Sequence, residues 1–146
     1  MSADLPARFA EIREEFLELD EPIRLELLLE HADALAEPPA AFRDRPELLE
    51  RVEECQSPVF IRVENTAEGV HLIADAPPQA PTTRGFASIL QSGVAGLSAA
   101  EVLALPDDLA FDLGLTRVVS PLRLRGMSGM LARIKRQLRA VEPTRP

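Results

Sequence analysis

The N-terminal third of the chain repeats its apolar residues with the period of an α-helix. Spacings of three and four residues separate one set of apolar positions: Leu5, Phe9, Ile12, Phe16 and Leu19. Asp20, with Pro22 in the first turn, is a suitable N-cap for a second helix, which the prolines after Glu37 end. Because this second helix is apolar around much of its circumference, we expect it to be buried.

The middle of the chain changes to the two-residue period of β-strands. Val59, Ile61 and Val63 occupy every second position of one segment. The pattern predicts, in order, a short strand, a tight loop, a longer strand, a turn and a returning strand: residues 51–52, 54–58, 59–64, 65–69 and 70–74. A stiff, proline-rich linker at 76–81 then separates this sheet from the last half of the chain.

The last half of the chain returns to helical signals. Thr82 or Thr83 can cap a helix, and Ser98 with Glu101 forms a capping box for a short helix at 99–105. Another short helix is expected at 107–115. Ser120 before a proline predicts the start of a final helix with one apolar face: Met127, Met130, Leu131, Ile134 and Leu138. The whole pattern predicts an α+β fold, a small antiparallel sheet packed by helices from both ends of the chain.

The composition is typical of a globular protein. The chain has 146 residues, of which 46% are hydrophobic and 27% charged, so we expect a single domain that is long enough to bury a core. The N-terminus is charged from Asp4 onward and predicts no signal peptide. No apolar run approaches the ~20 residues of a membrane span. We therefore expect a cytoplasmic protein without a membrane partner.

The net charge of −8 is unevenly distributed. Residues 1–54 hold sixteen acidic and six basic residues, whereas residues 120–146 hold seven basic residues and one acidic residue. Mutual neutralisation across the fold explains this split better than a nucleic-acid surface, because the total is acidic. The lack of Trp and Tyr also removes the usual platforms for stacking single-stranded nucleic acid.

The chain contains few residues that could bind a metal or a phosphate. The two histidines, His31 and His71, and the single cysteine are not at ligand spacing, so we expect no metal and no cofactor. The glycines form no phosphate-binding loop. Gly126 and Gly129 lie within the predicted final helix, where close packing is the simpler interpretation.

Cys55 is the remaining candidate for chemistry. A lone cysteine is commonly an inert core residue, but this one lies in a predicted loop, before a strand, where a nucleophile would be accessible. Glu53 and Glu54 would raise the pKa of its thiol, so a nearby arginine would have to offset them. A pair with His71 is conceivable, although no third group to orient it is evident.

Three segments resemble a known family. CQSPVF, residues 55–60, resembles the active-site segment of SufE-type sulfur-acceptor proteins. The segment from Leu113 to Gly126 resembles that family's LGL and LSPxRxxG motifs, with Arg123 at the arginine, and RGF at 84–86 resembles its KGL. The order and spacing of the three matches make the resemblance specific. Together they imply one SufE-like domain over residues 1–146, with a core over about residues 5–140, and a SufE/IscU-like fold of helices on a small curved antiparallel sheet.

The resemblance implies a function in sulfur relay. A pyridoxal-phosphate-dependent cysteine desulfurase would pass persulfide sulfur to Cys55 and be stimulated by this acceptor. The acceptor would then hand the sulfur to an iron–sulfur cluster assembly scaffold. The matched segments also imply roles in partner binding or thiolate stabilisation for four residues: Gln56, Ser57, Arg123 and Asp75.

The sequence departs from the family at several positions, including Glu54, where the family favours glycine, and Phe60, where it commonly has tryptophan. Two other functions therefore stay open at this point. The fold could serve as a binding or regulatory module that contacts a desulfurase or scaffold without using Cys55. It could also be a self-contained thiol enzyme. A Cys55→Ser variant distinguishes these alternatives.

Overall fold

The α+β architecture predicted from the sequence pattern is confirmed. The computed structural model describes residues 5–141. Five α-helices are present: α1 (Ala7–Leu17), α2 (Glu21–Asp33), α3 (Pro81–Val94), α4 (Ala99–Leu103) and α5 (Pro121–Val141). Three strands form one sheet: β1 (Glu50–Arg51), β2 (Phe60–Thr66) and β3 (Gly69–Asp75). Two short 3₁₀ segments cover Pro46–Leu48 and Leu109–Asp112.

The sheet is antiparallel with strand order β1-β2-β3. Strands β2 and β3 form a tight hairpin in which Thr66 pairs with Gly69 and Phe60 pairs with Asp75. The short β1 pairs with the first residues of β2. The buried residues of β2, Ile61 and Val63, alternate with exposed or half-exposed neighbours, as the two-residue period predicted.

Helix α3 lies at the centre of the molecule, packed on α1, α2, α5 and strand β3, while α5 packs on β2. On its α1 side, Gly93 faces the ring of Phe9. A Cβ atom at position 93 would lie 2.2–2.5 Å from three atoms of that ring. Only glycine at position 93 therefore leaves room for the Phe9 ring in this position.

Helix α2 is less buried than its apolar composition predicted. Only Leu28, His31 and Ala32 are buried, at the spacing of one helix face packed towards α3. Three large apolar residues of the helix are substantially exposed: Ile23, Leu25 and Leu29. The expectation of a well-buried helix is wrong because a single face of α2 has a packing partner.

Several predicted boundaries also change. Ala80, not a threonine, occupies the N-cap of α3, and Pro81 is its first helical residue, where a missing N–H costs nothing. The capping box of Ser98 and Glu101 is confirmed, with α4 ending two residues early. The helix predicted at 107–115 is a 3₁₀ turn, and α2 ends at Asp33 rather than near Glu37.

Ion pairs join the oppositely charged segments of the chain. Glu50, in β1, accepts hydrogen bonds from Arg133, Arg136 and Gln137 of α5. Burial alone would raise the pKa of Glu50, but the bonds from Gln137 and Arg136 and the two arginine charges hold it below its usual range. Mutual neutralisation, as the charge pattern indicated, accounts for this part of the fold.

Within residues 5–141, no helix combines the length and the apolar character needed to cross a membrane.

Candidate functional site

The Cys55 loop, residues 52–59, connects β1 to β2 and is closed by its own backbone. The amide of Val52 donates to the carbonyl oxygen of Val59 at 2.8 Å, which extends the sheet pairing by one bond. The amide of Cys55 then donates to the carbonyl oxygen of Val52 at 3.1 Å, which forms a tight turn. The prediction of a loop at 54–58 is confirmed, and the turn places Cys55 at a fixed point above α5.

The thiol of Cys55 is buried rather than exposed as its loop position had suggested. Only 7% of the residue is accessible, because the loop lies flat on α5. The Sγ atom lies 3.7 Å from the carbonyl oxygen of Gly126, a weak hydrogen bond. A Cβ atom at position 126 would stand 3.1 Å from that sulfur. Gly126 thus leaves the space in which the thiol is housed, as the close-packing interpretation predicted.

Burial determines the ionisation of this thiol. Desolvation, followed by the charge of Glu54, raises the pKa of Cys55 from 9.0 to about 11, and Arg133 opposes the shift. At pH 7 roughly one thiol in ten thousand would then be ionised in this conformation. The thiolate needed for nucleophilic chemistry therefore forms only when the surroundings of Cys55 change.

The carboxylate of Glu54 is held on α5 beside the thiol. Arg133 donates to Glu54 through Nη2 at 2.8 Å and also contacts Glu50 at 3.3 Å. The Glu54 side chain passes over Gly129, where a Cβ atom would lie 2.6 Å from its Oε1 atom. The loop is therefore fixed to the helix at two successive residues, Glu54 and Cys55.

A cavity of about 290 Å³ opens beside the thiol. Its walls come from the Cys55 loop, the start of α3 and the start of α5. Cys55, Gln56 and Ser57 line one side, and Arg123 lines another, where its Nη1 donates to the Thr82 hydroxyl at 3.4 Å. A charged donor and a thiol thus face the same space.

Four of the five site residues predicted from the sequence meet at this cavity: Cys55, Gln56, Ser57 and Arg123. Asp75 does not line it. Asp75 ends β3 and pairs with Phe60, the residue that follows the Cys55 loop, so it lies at the loop end of the sheet. Its predicted role in partner binding stays a prediction.

Arg133, the cation that partly offsets the rise in the pKa of Cys55, was not predicted as a site residue. A signal was available, because Gly126, Gly129 and Arg133 follow each other at spacings of three and four and so share one face of α5. Two glycines and an arginine on one helix face indicate a surface on which an acidic segment can pack closely and form an ion pair. Thr82 and Leu122, which line the cavity from α3 and α5, were not predicted there either.

The histidines lie elsewhere. His31 is buried against the ring of Phe16, with ring centres 5.8 Å apart, and burial lowers its pKa. His71 is exposed on β3 and lines a different cavity, so the conceivable pair with Cys55 is wrong. Among residues 5–141, no three histidine, cysteine or acidic side chains are grouped closely enough to hold a metal ion.

The sequence matches the SufE family, described as the Fe-S metabolism associated domain, over residues 10–138. SufE-like proteins of two Mycobacterium tuberculosis strains are 48% identical over 141 residues, which is 96% of this chain and 97% of each relative. The SufE-like protein 1, chloroplastic/mitochondrial, of Arabidopsis thaliana is 30% identical over 88% of this chain, which corresponds to 34% of its own length.

The fold has a solved counterpart. The solution structure of a hypothetical protein from Thermus thermophilus superposes with a TM-score of 0.84 and 33% sequence identity. The superposition covers 97% of this chain and all of the other. The arrangement of five helices around a three-stranded sheet is therefore shared by a related protein.

Proposed function

Because the chain belongs to the SufE family, we propose that it accepts persulfide sulfur from a cysteine desulfurase on Cys55 and relays it to an iron–sulfur assembly scaffold. Family membership implies a sulfur-acceptor role in iron–sulfur metabolism. The position of Cys55 supports the transfer of persulfide sulfur to this residue. The only thiol of the chain lies on a turn at the wall of a cavity that it shares with Gln56, Ser57 and Arg123.

The proposed step is a sulfur transfer between thiols. The Cys55 thiolate attacks the terminal sulfur of a persulfide on the desulfurase, and a new S–S bond forms at Cys55. The S–S bond of the donor breaks, and its cysteine leaves as a thiolate. The step consumes no net oxidant or reductant, because one persulfide replaces another.

Burial of the thiol supports a relay because it protects a reactive sulfur between transfers. An exposed thiolate or persulfide oxidises readily, whereas a buried thiol with a pKa of about 11 stays protonated. The Cys55 loop must open when the acceptor meets its donor. In the donor's active site, a cation or a polar pocket can then stabilise the thiolate that burial suppresses.

The surroundings of the cavity suit a protein partner. Leu122 is 46% exposed and lines the cavity beside Arg123. Leu25 is also exposed and lines a neighbouring groove with Arg123. Exposed leucines next to an arginine at the site of chemistry provide the apolar and charged contacts that protein interfaces use. We propose that the pyridoxal-phosphate-dependent desulfurase docks on this surface and is stimulated when its persulfide is removed.

Intact-protein mass spectrometry after incubation with a cysteine desulfurase and L-cysteine tests the proposal. We expect a mass increase of one sulfur atom that maps to Cys55 and is lost in Cys55→Ser. Reaction with a thiol reductant should reverse it. A mass increase that persists in Cys55→Ser, or none with a docked desulfurase, contradicts the relay.

The alternative is a binding or regulatory module that does not use Cys55. The raised pKa of the thiol and the carboxylate of Glu54 beside it favour this alternative. The Cys55→Ser variant again discriminates, because a module would keep desulfurase binding and any stimulation of its turnover, whereas a relay would keep binding but lose the stimulation.

A further inference from the structure

We propose that the ion pair between Glu54 and Arg133, the latch, positions the acceptor thiol by holding the Cys55 loop closed on α5. Its significance for sulfur acceptance rests on the proposed function, but its effect on the loop does not. Glu54 directly precedes Cys55, so a force that fixes the glutamate side chain also fixes the thiol. Arg133 is thus a positioning residue, one that acts on Cys55 through its neighbour.

The geometry favours a specific contact over an incidental surface pair. The distance between Arg133 Nη2 and Glu54 Oε1 is 2.8 Å, and the Arg133 side chain is only 17% exposed. Glu54 reaches this arginine by lying across Gly129, where any side chain would collide with its carboxylate and its Cβ atom. A glycine, a largely covered arginine and a loop carboxylate are matched in position, which a fully solvated surface pair does not require.

The arginine is anchored independently of the loop. Arg133 also contacts Glu50 of β1, at 3.3 Å, and Glu50 is held in turn by Arg136 and by Gln137, the latter at 2.8 Å. When Glu54 leaves, Arg133 keeps a carboxylate partner and its place on α5. The loop is therefore the mobile member of the latch, and opening it leaves no unpaired charge buried on the helix.

Apart from the latch, the loop is held mainly by burial at its two ends and at the thiol: Val52 and Val59 are fully buried and Cys55 is 7% exposed. The thiol of Cys55 makes one weak hydrogen bond to α5, from Sγ to the carbonyl oxygen of Gly126 at 3.7 Å. The remaining bonds are within the loop itself: Val52 to Val59, and Cys55 to Val52. Because Val52 and Val59 are anchored in the core, we expect the segment between them, which carries Glu54 and Cys55, to be the part that moves. The latch is the strongest polar contact that ties the tip of the turn to α5.

The rate at which a neutral alkylating reagent, iodoacetamide, modifies Cys55 tests the latch without a desulfurase. Glu54→Gln removes the charge, and Gly129→Ala pushes the Glu54 side chain away while leaving every charge in place. We expect both variants to react about threefold to fivefold faster than the wild type, the population change that a half-exposed ion pair supports. Glu53→Gln is the matched control, since Glu53 is an exposed neighbour with no ion pair within residues 5–141.

Hydrogen exchange of the peptide that contains residues 53–57 measures opening of the loop directly. Unlike alkylation, it does not depend on how the charge of Glu54 affects ionisation of the thiol. We expect faster exchange in both variants and wild-type exchange in Glu53→Gln. Two outcomes would show a purely electrostatic effect on the thiol and overturn the latch. In the first, Glu54→Gln speeds alkylation but leaves hydrogen exchange unchanged. In the second, Glu54→Gln speeds alkylation but Gly129→Ala has no effect. Unchanged rates in all variants would overturn it as well. None of these outcomes bears on whether Cys55 accepts sulfur, which the mass measurement decides.

Discussion

Cys55, the residue that we propose as the sulfur acceptor, lies in an environment that opposes ionisation of its thiol. Cys55 is 7% exposed and stands next to the carboxylate of Glu54, and both conditions disfavour its thiolate. Arg123, at the cavity, donates a hydrogen bond to Thr82, whereas Arg133 is the cation that opposes the rise in the pKa of Cys55. Because Arg123 is not among the charges that act on the thiol, we expect it to contact a partner rather than to stabilise the resting thiolate.

The pH dependence of thiol reactivity follows from this environment. We expect the alkylation rate of Cys55 in the folded protein to rise about tenfold per pH unit from pH 7 and to level off only near the pKa of about 11. Because the folded-state pKa is raised, the stability gained from the protonated thiol is complete below pH 9 and is lost as the pH approaches 11. The denatured chain is the control and should level off near pH 9. A plateau near pH 9 in the folded protein would contradict the burial of the thiol.

The role of Arg123 can be measured in the transfer assay. We expect Arg123→Ala to slow sulfur acceptance about fivefold, equivalent to the loss of roughly 1 kcal/mol at an interface arginine, with Arg123→Lys only partly restoring it. Arg125→Ala is the control, because Arg125 is an exposed arginine two residues along α5 that does not line the cavity. Equal rates for the two alanine variants would remove Arg123 from the site.

At the scale of elements, secondary structure was predicted best from the sequence where a local signal determines it. The hairpin of β2 and β3 and the capping box at Ser98 were predicted because alternation and capping are local. The exposure of α2 was not predicted, because the apolar character of a residue such as Leu25 does not show whether another element packs over it. The seat for Glu54 on α5 likewise depends on a long-range approach between residues 75 positions apart, Glu54 and Gly129.

The approach of α3 to α1 gives a stability prediction at this scale. Gly93→Ala places a methyl group within 2.2–2.5 Å of the Phe9 ring, so we expect a loss of about 1–3 kcal/mol in the free energy of unfolding, measured by urea denaturation. In a Phe9→Leu background the ring atoms that would clash are gone, and the added cost of Gly93→Ala should largely disappear. A cost that is the same in both backgrounds would show that the ring does not set the helix separation.

Across the whole molecule, the exposed apolar residues differ in whether they lie near Cys55. Leu122, on α5, lines the cavity of Cys55, and Leu25, on α2, lines the groove next to it. Phe111 is comparably exposed, at 39%, but lines neither of these two depressions. We expect a partner that reaches Cys55 through this cavity to cover Leu122 and Arg123 together, whereas it has no need to approach Phe111.

This distinction predicts where a charge interferes with sulfur transfer. We expect Leu122→Asp to slow desulfurase-dependent sulfur acceptance at least about fivefold, because a carboxylate must be desolvated when the partner covers it. Phe111→Asp should leave acceptance unchanged, and thermal unfolding of both variants checks that the fold is kept. Slowing by Phe111→Asp as great as that by Leu122→Asp would mean that the overall negative charge, not the surface beside the thiol, governs docking. The comparison thus separates a defined contact at the mouth of the cavity from the long-range field of an acidic protein, which salt would screen.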